Sequence, residues 1–389
     1  MKRLKLAAKR LQSRRCGGII VMAALTLTLI FAFAAFSVDV GLITLVKCQL
    51  QNAADGSALA AAQELVEPLS QGTSSGTFET LAALVAATTA AKDVALHNPS
   101  GFGTPTVLVP GDIVFGNRSW DDAAGEWVIN WGSAPFNAVR VKARRLETRQ
   151  NALPLLFAPV INHQSSDLTQ QATAALMPGT GISSGGGGNA PILPFAVDLD
   201  SWNAFASATS PDDWSYDPVS GSVSAGPDGI PEFHIFPNQP NTSLPSGNRG
   251  TINIGDNNNS TNVLRRQIRE GINQAEMNYH GGSIDFANGP ISFTGDTGLS
   301  ASMQSDLQMI YGESRALVLF TEVSGNGANA VYTTVRFAGA RVMYAKLTGP
   351  MSKKAVVVQP ASLFDSKVIA GPTDTTLPGT IYTKPRLVE

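Results

Sequence analysis

Two cysteines among 389 residues leave no room for a disulfide framework. Four scattered histidines, His97, His163, His234 and His280, have neither an H-x-x-x-H spacing nor a cysteine close by, which excludes the usual zinc arrangements. Phosphate-binding and dinucleotide glycine fingerprints are missing as well. Charged residues are only 15% of the chain. Most telling, no acid occurs before Asp39, and the 23 residues from Cys16 to Val38 carry no charge of either sign.

As a helix, that uncharged run reaches ~35 Å, enough for a ~30 Å hydrocarbon core. From Ile19 to Phe36 its polar side chains are Thr26 and Thr28 alone, and their hydroxyls can bond back to the preceding turn. A core helix of a soluble protein is rarely apolar on every side for so long. A cleaved secretory signal ending near Ala32-Phe33-Ala34 is the rival reading, but the apolar run is about twice a usual h-region and passes straight into another helical pattern. Lys2, Arg3, Lys5, Lys9, Arg10, Arg14 and Arg15 stand before the run, so the excess of basic side chains places the N-terminus in the cytoplasm and the bulk outside. With seven of the 28 basic residues before the span, 21 remain against 30 acids, and the body carries about −9. Nucleic acid is not an expected partner of such a body.

Past Asp39 and Gly41 the helix continues with a different face. Leu50, Ala54, Ser57, Ala58, Ala61 and Leu65 share one side of a 3.6-residue period, while Gln51, Asn52, Asp55 and Gln63 share another. The pairs Ala54/Ala58 and Ser57/Ala61 would let a second backbone approach closely, either from a second copy, giving self-association through this small-residue face, or from the chain's own body. Cys16 and Cys48, ~48 Å apart on one helix, cannot bridge to each other. Cys48 lies outside the span as an inert thiol or as a partner for the same residue of another copy.

An arginine before a glycine (Arg14, Gly17), an apolar span, Asp39-Val40-Gly41, then Leu50-Gln51-Asn52-Ala53-Ala54-Asp55 running into alanines resembles the N-terminal segment of TadG-like proteins of tight-adherence (Flp) pilus systems. The likeness covers about Arg14 to Leu65, roughly an eighth of the chain, and departs from the usual alanines at Gly56-Ser57. It implies a single-pass inner-membrane protein with an extracytoplasmic body, acting through contacts with other pilus or secretion-assembly proteins and with inner-membrane lipid, and no enzyme. Many relatives carry a von Willebrand type A domain, whose metal site needs D-x-S-x-S; Asp198-Leu199-Asp200-Ser201-Trp202 has the wrong spacing. Nor does a glutamate follow Gly17 or Gly18 as in glycine-cleaved pseudopilins.

The fold class expected is α+β: a cytoplasmic basic segment (1–16), a single N-terminal transmembrane helix extended outside the membrane (17–66), a small α+β domain (67–178), a Gly-rich linker (179–191), a β-rich domain with two helices (192–360) and an extended tail (361–389). In the first body a helix over 78–96, capped by Thr77, precedes strands at 112–115, 126–130 and 138–144. In the last of these Val139, Val141 and Ala143 alternate with Arg140, Lys142 and Arg144, one face buried and the other wet. The apolar stretch 153–161, broken by Pro154 and Pro159, is too short to cross a bilayer and is expected to pack on the sheet. In the second body strands are expected at 192–197, 232–236, 250–254, 291–293, 316–323, 330–337 with 341–347, and 355–358, and helices at 261–279 and 299–310. The runs 247–255, 295–298 and 337–342 are similar to the C-terminal β-rich region of some Tad-domain proteins.

No catalytic, cofactor-binding or metal-binding residue is expected. Gly181-Ile182-Ser183-Ser184-Gly185 matches a nucleophile elbow in letters only, since glycines rather than a helix follow. Asp256, Asn258, Ser260 and Asn262, or Asp228-Gly229 before Glu232, offer oxygen ligands for Ca²⁺ without completing an EF-hand loop. The alternative to a structural pilus component is a membrane-tethered envelope hydrolase, ligand-binding protein or adhesin.

Overall fold

A computed structural model describes residues 16–66, 77–207, 211–236, 250–255, 260–295, 299–325, 329–350, 353–373, 377 and 379–388. The basic residues up to Arg15, together with Asp256 and Asn258 of the oxygen-rich run, lie outside it. The fold is mixed α+β: a long apolar N-terminal helix leads into a β-rich body with a few helices.

Helix α1 (Cys16–Glu64) is continuous across both halves of the pattern read from the sequence. Between Gly18 and Val38 every residue but Ala35 is exposed, and this stretch is apolar enough to cross a membrane. Thr26 and Thr28 donate to the carbonyls of Met22 (2.5 Å) and Ala24 (2.9 Å), which hides both hydroxyls from an apolar surrounding. Beyond Asp39 the environment reverses. Val46, Leu50, Ala53, Ala54, Ser57, Ala58, Ala61, Ala62 and Leu65 are buried, the face that the period predicts. The chain itself covers Ala54, Ser57, Ala58 and Ala61, so of the two expectations for this face packing on the chain's own body is the one seen, and self-association through it is corrected. Helix α2 (Thr77–Leu96) buries Ala83, Ala87, Ala91 and Ala95 at four-residue spacing. At Gly56 a Cβ would come 3.2 Å from Val94 Cγ1, so the departure from alanine there has a packing reason.

The chain divides into two compact units that interleave in sequence: Met1–Gly56, Lys92–Asp112 and Lys142–Gln171 form one, and Ser57–Ala91, Ile113–Val141 and Ala172–Glu389 the other. In the first, Leu153–Pro154 pairs antiparallel with Ser165–Ser166, and a 3-10 turn, Ala158–Ile161, lies at the tip of this arm. Leu153 and Leu155 are buried, but Leu156, Phe157, Val160 and Ile161 face outward. The apolar stretch therefore does not pack on the sheet as expected; only its first half turns inward. Fully buried Asp112 holds the same unit together, accepting two bonds from the Arg149 guanidinium (2.7 and 2.9 Å), one from the Val109 N–H (3.1 Å), and a longer contact from Arg144 (3.4 Å).

In the second unit the largest sheet runs in the order Phe233–Phe236, Ala355–Pro360, Val331–Lys346, Ser314–Ser324, Ile192–Asp198, with Ile291–Thr294 also on Val331–Lys346. Both faces are covered. Leu193, Phe195, Val197, Leu317 and Leu319 join one core with Trp202, Leu264, Ile268 and Leu307 from helices. Ile192, Ala196, Ala316, Val318 and Phe320 join the other with Ile182, Ile252, Ile284 and Ile381. A strand covered on both sides is apolar at every position, which is why 192–197 reads as a run rather than an alternation. A second sheet has the order Glu126–Trp131, Ile113–Asp121, Ala138–Arg145, Leu168–Ala175, Arg386–Val388. On it Val139, Val141 and Ala143 are buried as expected, while the Arg140 guanidinium lies 4.1 Å over the Trp131 ring.

Three expectations are corrected by non-local packing. Gly179–Ser183, in a stretch that reads as linker, is a strand paired with Ser283–Asp285 and Val368–Ala370; a Cβ on Gly181 would sit 2.7 Å from Asp285 Cβ, so glycine there serves close strand approach. The expected helix 261–279 is two, Thr261–Glu270 and Gln274–Asn278. Gly271 breaks it, with φ +82° and no space for a Cβ against the Ala190 carbonyl, and Asn273 with Glu276 opens the next helix as a capping box. The residues after Pro360 supply strands too, with Leu363, Ile381 and Tyr382 buried.

Candidate functional site

What the first unit builds around α1 is a mount. Asp39, the first acid in the chain, ends the apolar run and is 4% exposed. Its carboxylate accepts the backbone N–H groups of Leu156 (2.8 Å), Phe157 (3.0 and 3.3 Å) and Ala158 (2.7 Å), more than a hundred residues later in the chain. Those amides open the 3-10 turn Ala158–Ile161, where Phe157 caps without a side-chain acceptor and first-turn donors have no partner of their own. Asp39 supplies what a local Ser or Asp would give at an ordinary cap, with the strength of an ionised acceptor.

Two further attachments follow along the helix. Gln49 Oε1 accepts the Gly101 N–H (2.8 Å). Gln51 Nε2 donates to Asp55 Oδ1 (2.7 Å) and to the Gln171 carbonyl (3.2 Å), and Gln51 Oε1 accepts from Gln170 Nε2 (3.2 Å). Asp39 and Gln51 are twelve residues apart, so the unit grips α1 over ~18 Å. Behind Gly101 stands Arg145, 5% exposed, whose guanidinium donates to the carbonyls of Ser100 (2.5 Å), Gly101 (3.2 Å) and Asn151 (2.8 Å). Gly101 has φ +51°, and a Cβ there would meet Arg145 Nη1 at 2.6 Å and Val46 Cγ2 at 3.0 Å. Only glycine lets this turn lie so close to α1.

The motif residues divide accordingly. Asp39, Leu50, Gln51, Ala53, Ala54 and Asp55 are brought together on the mount: Leu50, Ala53 and Ala54 as its buried face, Gln51 and Asp55 through hydrogen bonds. Asn52 is exposed, and Gly41 is exposed with open space where a Cβ would be; nothing in the structure explains either residue type. Gly17 lies in the first turn of α1, and Arg14 falls outside the described residues. Sequence reasoning missed Gln49, Gly101 and Arg145. Glycine on both sides of Phe102 was the only local sign of the turn.

The second unit offers different chemistry. An open groove of about 570 Å³ is lined by residues including Tyr216, Tyr311, Glu313, Arg315, Arg341 and Asp365, with no histidine or cysteine among its lining. Arg341 lies 3.4 Å over the Tyr216 ring and donates to the Gly312 carbonyl, and Arg315 pairs with Glu313 at 2.6 Å. Ser183, of the elbow-like letters, donates to the Lys367 carbonyl, and no helix follows it. Among the described residues no group of His, Cys, Asp or Glu is arranged to hold a metal ion.

Glu232, 2% exposed, accepts the N–H groups of Asp213 (2.8 Å) and Trp214 (3.0 Å). Burial pushes its carboxyl up to about 7 against the pull of those two donors, and the charges of Asp212 and Asp228 add to the rise. Between its ordinary 4.5 and 7 the folded chain holds a proton that the unfolded chain has lost, so this group's stabilisation is full below 4.5 and is lost as pH rises to 7. Buried His234 acts in the opposite sense, its lowered value withdrawing stability as pH falls below 6.5. The two are separated by comparing wild type with Glu232→Gln. Over pH 4.5 to 7 the wild type should lose roughly 2–3 kcal/mol relative to the variant. Parallel melting curves across that range would contradict this.

Among the described residues one helix is long and apolar enough to span a bilayer, and a folded unit is clamped to it from the first residue past the apolar run, an arrangement that suggests single-pass membrane anchoring. Residues 17–64 match the family model described as Putative Flp pilus-assembly TadE/G-like, which covers the span and the mount's side of α1. The TadG-like resemblance of the anchor segment therefore stands, over roughly an eighth of the chain. No curated protein and no solved structure matches.

Proposed function

We propose that the chain is a membrane-anchored structural component of a Tad/Flp-type pilus or secretion assembly, single-pass in the bacterial inner membrane, with its N-terminus cytoplasmic and both units outside. It works by presenting those units to neighbouring subunits and catalyses no reaction. The observation that carries this reading is what the matched segment does: Asp39, Leu50, Gln51, Ala53 and Ala54 hold a body on a membrane helix. Side chains committed to backbone amides and to a buried helix face leave no group for substrate chemistry in this segment. Such a mount fixes where the first unit stands relative to the bilayer, as a subunit docking against fixed neighbours requires.

The basic residues before the span support the orientation, and the family match supports the pathway. The test is detergent extraction and affinity capture of the full chain from its native membranes. The chain should fractionate with the inner membrane and bring down a secretion ATPase and platform proteins, and its deletion should abolish surface pili. A chain released to the medium, or captured alone from piliated cells, would contradict the proposal.

A further inference from the structure

Of the exposed apolar side chains outside the span, four belong to one short tip. Leu156 is 56% exposed, Phe157 46%, Val160 90% and Ile161 78%, all on the arm that Asp39 holds. We propose that this tip, residues 156–161, dips into the interface of the bilayer that α1 crosses, as a second and shallow membrane contact beside the helix. The inference rests on the reading of α1 as a transmembrane span.

The position follows from the bonds. About 20 residues cross a ~30 Å hydrocarbon core, so a span entered near Gly18 leaves it near Val38. Asp39 is the next residue, and its carboxylate touches the amides of Leu156, Phe157 and Ala158 directly. The apolar tip is thereby held at the depth where hydrocarbon gives way to head groups.

The chemistry of the tip suits that depth. Between Leu153 and Gln164 there is no charged side chain, so insertion desolvates none. Most of its backbone N–H groups are bonded within the chain. Leu155 N–H goes to the Gln164 carbonyl, Asp39 takes the next three, Pro159 has none, Val160 bonds to Phe157, and the N–H groups of Asn162 and His163 turn back to Pro159 and Ala158. Unpaired backbone amides are what keeps an ordinary loop out of lipid. Asn162 and His163, exposed at the end of the turn, lie at the edge where head groups offer polar partners. The buried Leu153 and Leu155 anchor the arm from behind, so the four outward side chains are presented on a fixed support.

The test uses the full chain with Cys16→Ser and Cys48→Ser, reconstituted in lipid nanodiscs, and an environment-sensitive fluorophore on a single new cysteine. At Val160→Cys, the probe should shift to the blue, lose most of its emission to a nitroxide carried on shallow lipid positions, and resist aqueous iodide. The control is Phe102→Cys, also exposed but beside Gly101, which Gln49 holds ten residues or ~15 Å further along α1; it should respond to iodide and not to lipid nitroxide. A probe at Leu25→Cys reports the span itself. Lipid quenching at position 25 with iodide quenching at 160 would overturn the tip proposal and leave the span standing. Protection of 160 from both quenchers would mean a protein contact and would also overturn it. Absence of lipid quenching at 25 and 160 alike would remove the transmembrane reading and the tip proposal together.

Discussion

Replacing Asp39 by alanine should release the arm 153–166 from α1 while leaving the helix in the membrane. Three backbone amides lose an ionised acceptor at once, and no other side chain stands ready, since Phe157 caps the turn without one. Hydrogen bonds to a charged group are among the stronger ones, so exchange of the Leu156, Phe157 and Ala158 amides should speed up by roughly tenfold to a hundredfold. Hydrogen exchange followed by mass spectrometry on the full chain in nanodiscs reads this directly. Peptides from the Phe233–Phe236 strand serve as the unaffected reference. Asp39→Asn should fall between wild type and alanine, because one amide oxygen can still accept. An Asp39→Ala chain whose arm remains protected would show that the carboxylate is not what holds it.

Arg145→Ala should be the most costly single change in the first unit. The guanidinium sits almost wholly buried and satisfies three carbonyls from two segments, and burial alone draws its pKa below the ordinary arginine value. Truncation strands the Ser100, Gly101 and Asn151 carbonyls and opens a void beside Gly101. The expected loss is about 2–4 kcal/mol, a fall of roughly 5–15 °C in the melting midpoint of the detergent-solubilised chain. Lysine should rescue little, since one ammonium cannot reach three carbonyls that a planar fork reaches together. A midpoint within a degree or two of wild type for Arg145→Ala would contradict the role assigned to this side chain.

These two residues also mark where the sequence stops being readable. The span, the basic flank and the small-residue face of α1 are periodic and local, so Leu50, Ala54, Ser57, Ala58, Ala61 and Leu65 can be placed on one side from spacing alone, and all are buried. The alternation of Val139, Val141 and Ala143 with basic residues is local in the same way. Asp39, by contrast, meets partners more than a hundred residues away, and its spacing from Gly41 says nothing of them. Arg145 reads as one more residue of a basic strand end until Ser100 and Asn151 are folded against it. The glycines of 179–188 look like a tether because composition cannot show that Gly181 serves close approach to Asp285 rather than freedom. The stretch 153–161 looks like core because it is apolar, and only the fold shows that half of it points away from the body. What is local to a helix or a strand is written in the spacing, and what joins the body to the anchor is written in long-range pairs.

If α1 crosses the inner membrane with the mount on the far side, the chain carries its own reporter of that orientation. Cys48 is free and exposed, nine residues or ~14 Å past Asp39 along the helix. Cys16 stands at the opposite end of the apolar run. A membrane-impermeant maleimide added to spheroplasts of the native host should modify Cys48 before lysis and Cys16 only after it, with Cys48→Ser losing the early signal. Modification of Cys48 only after the membrane is opened would put the body on the cytoplasmic side and contradict the account.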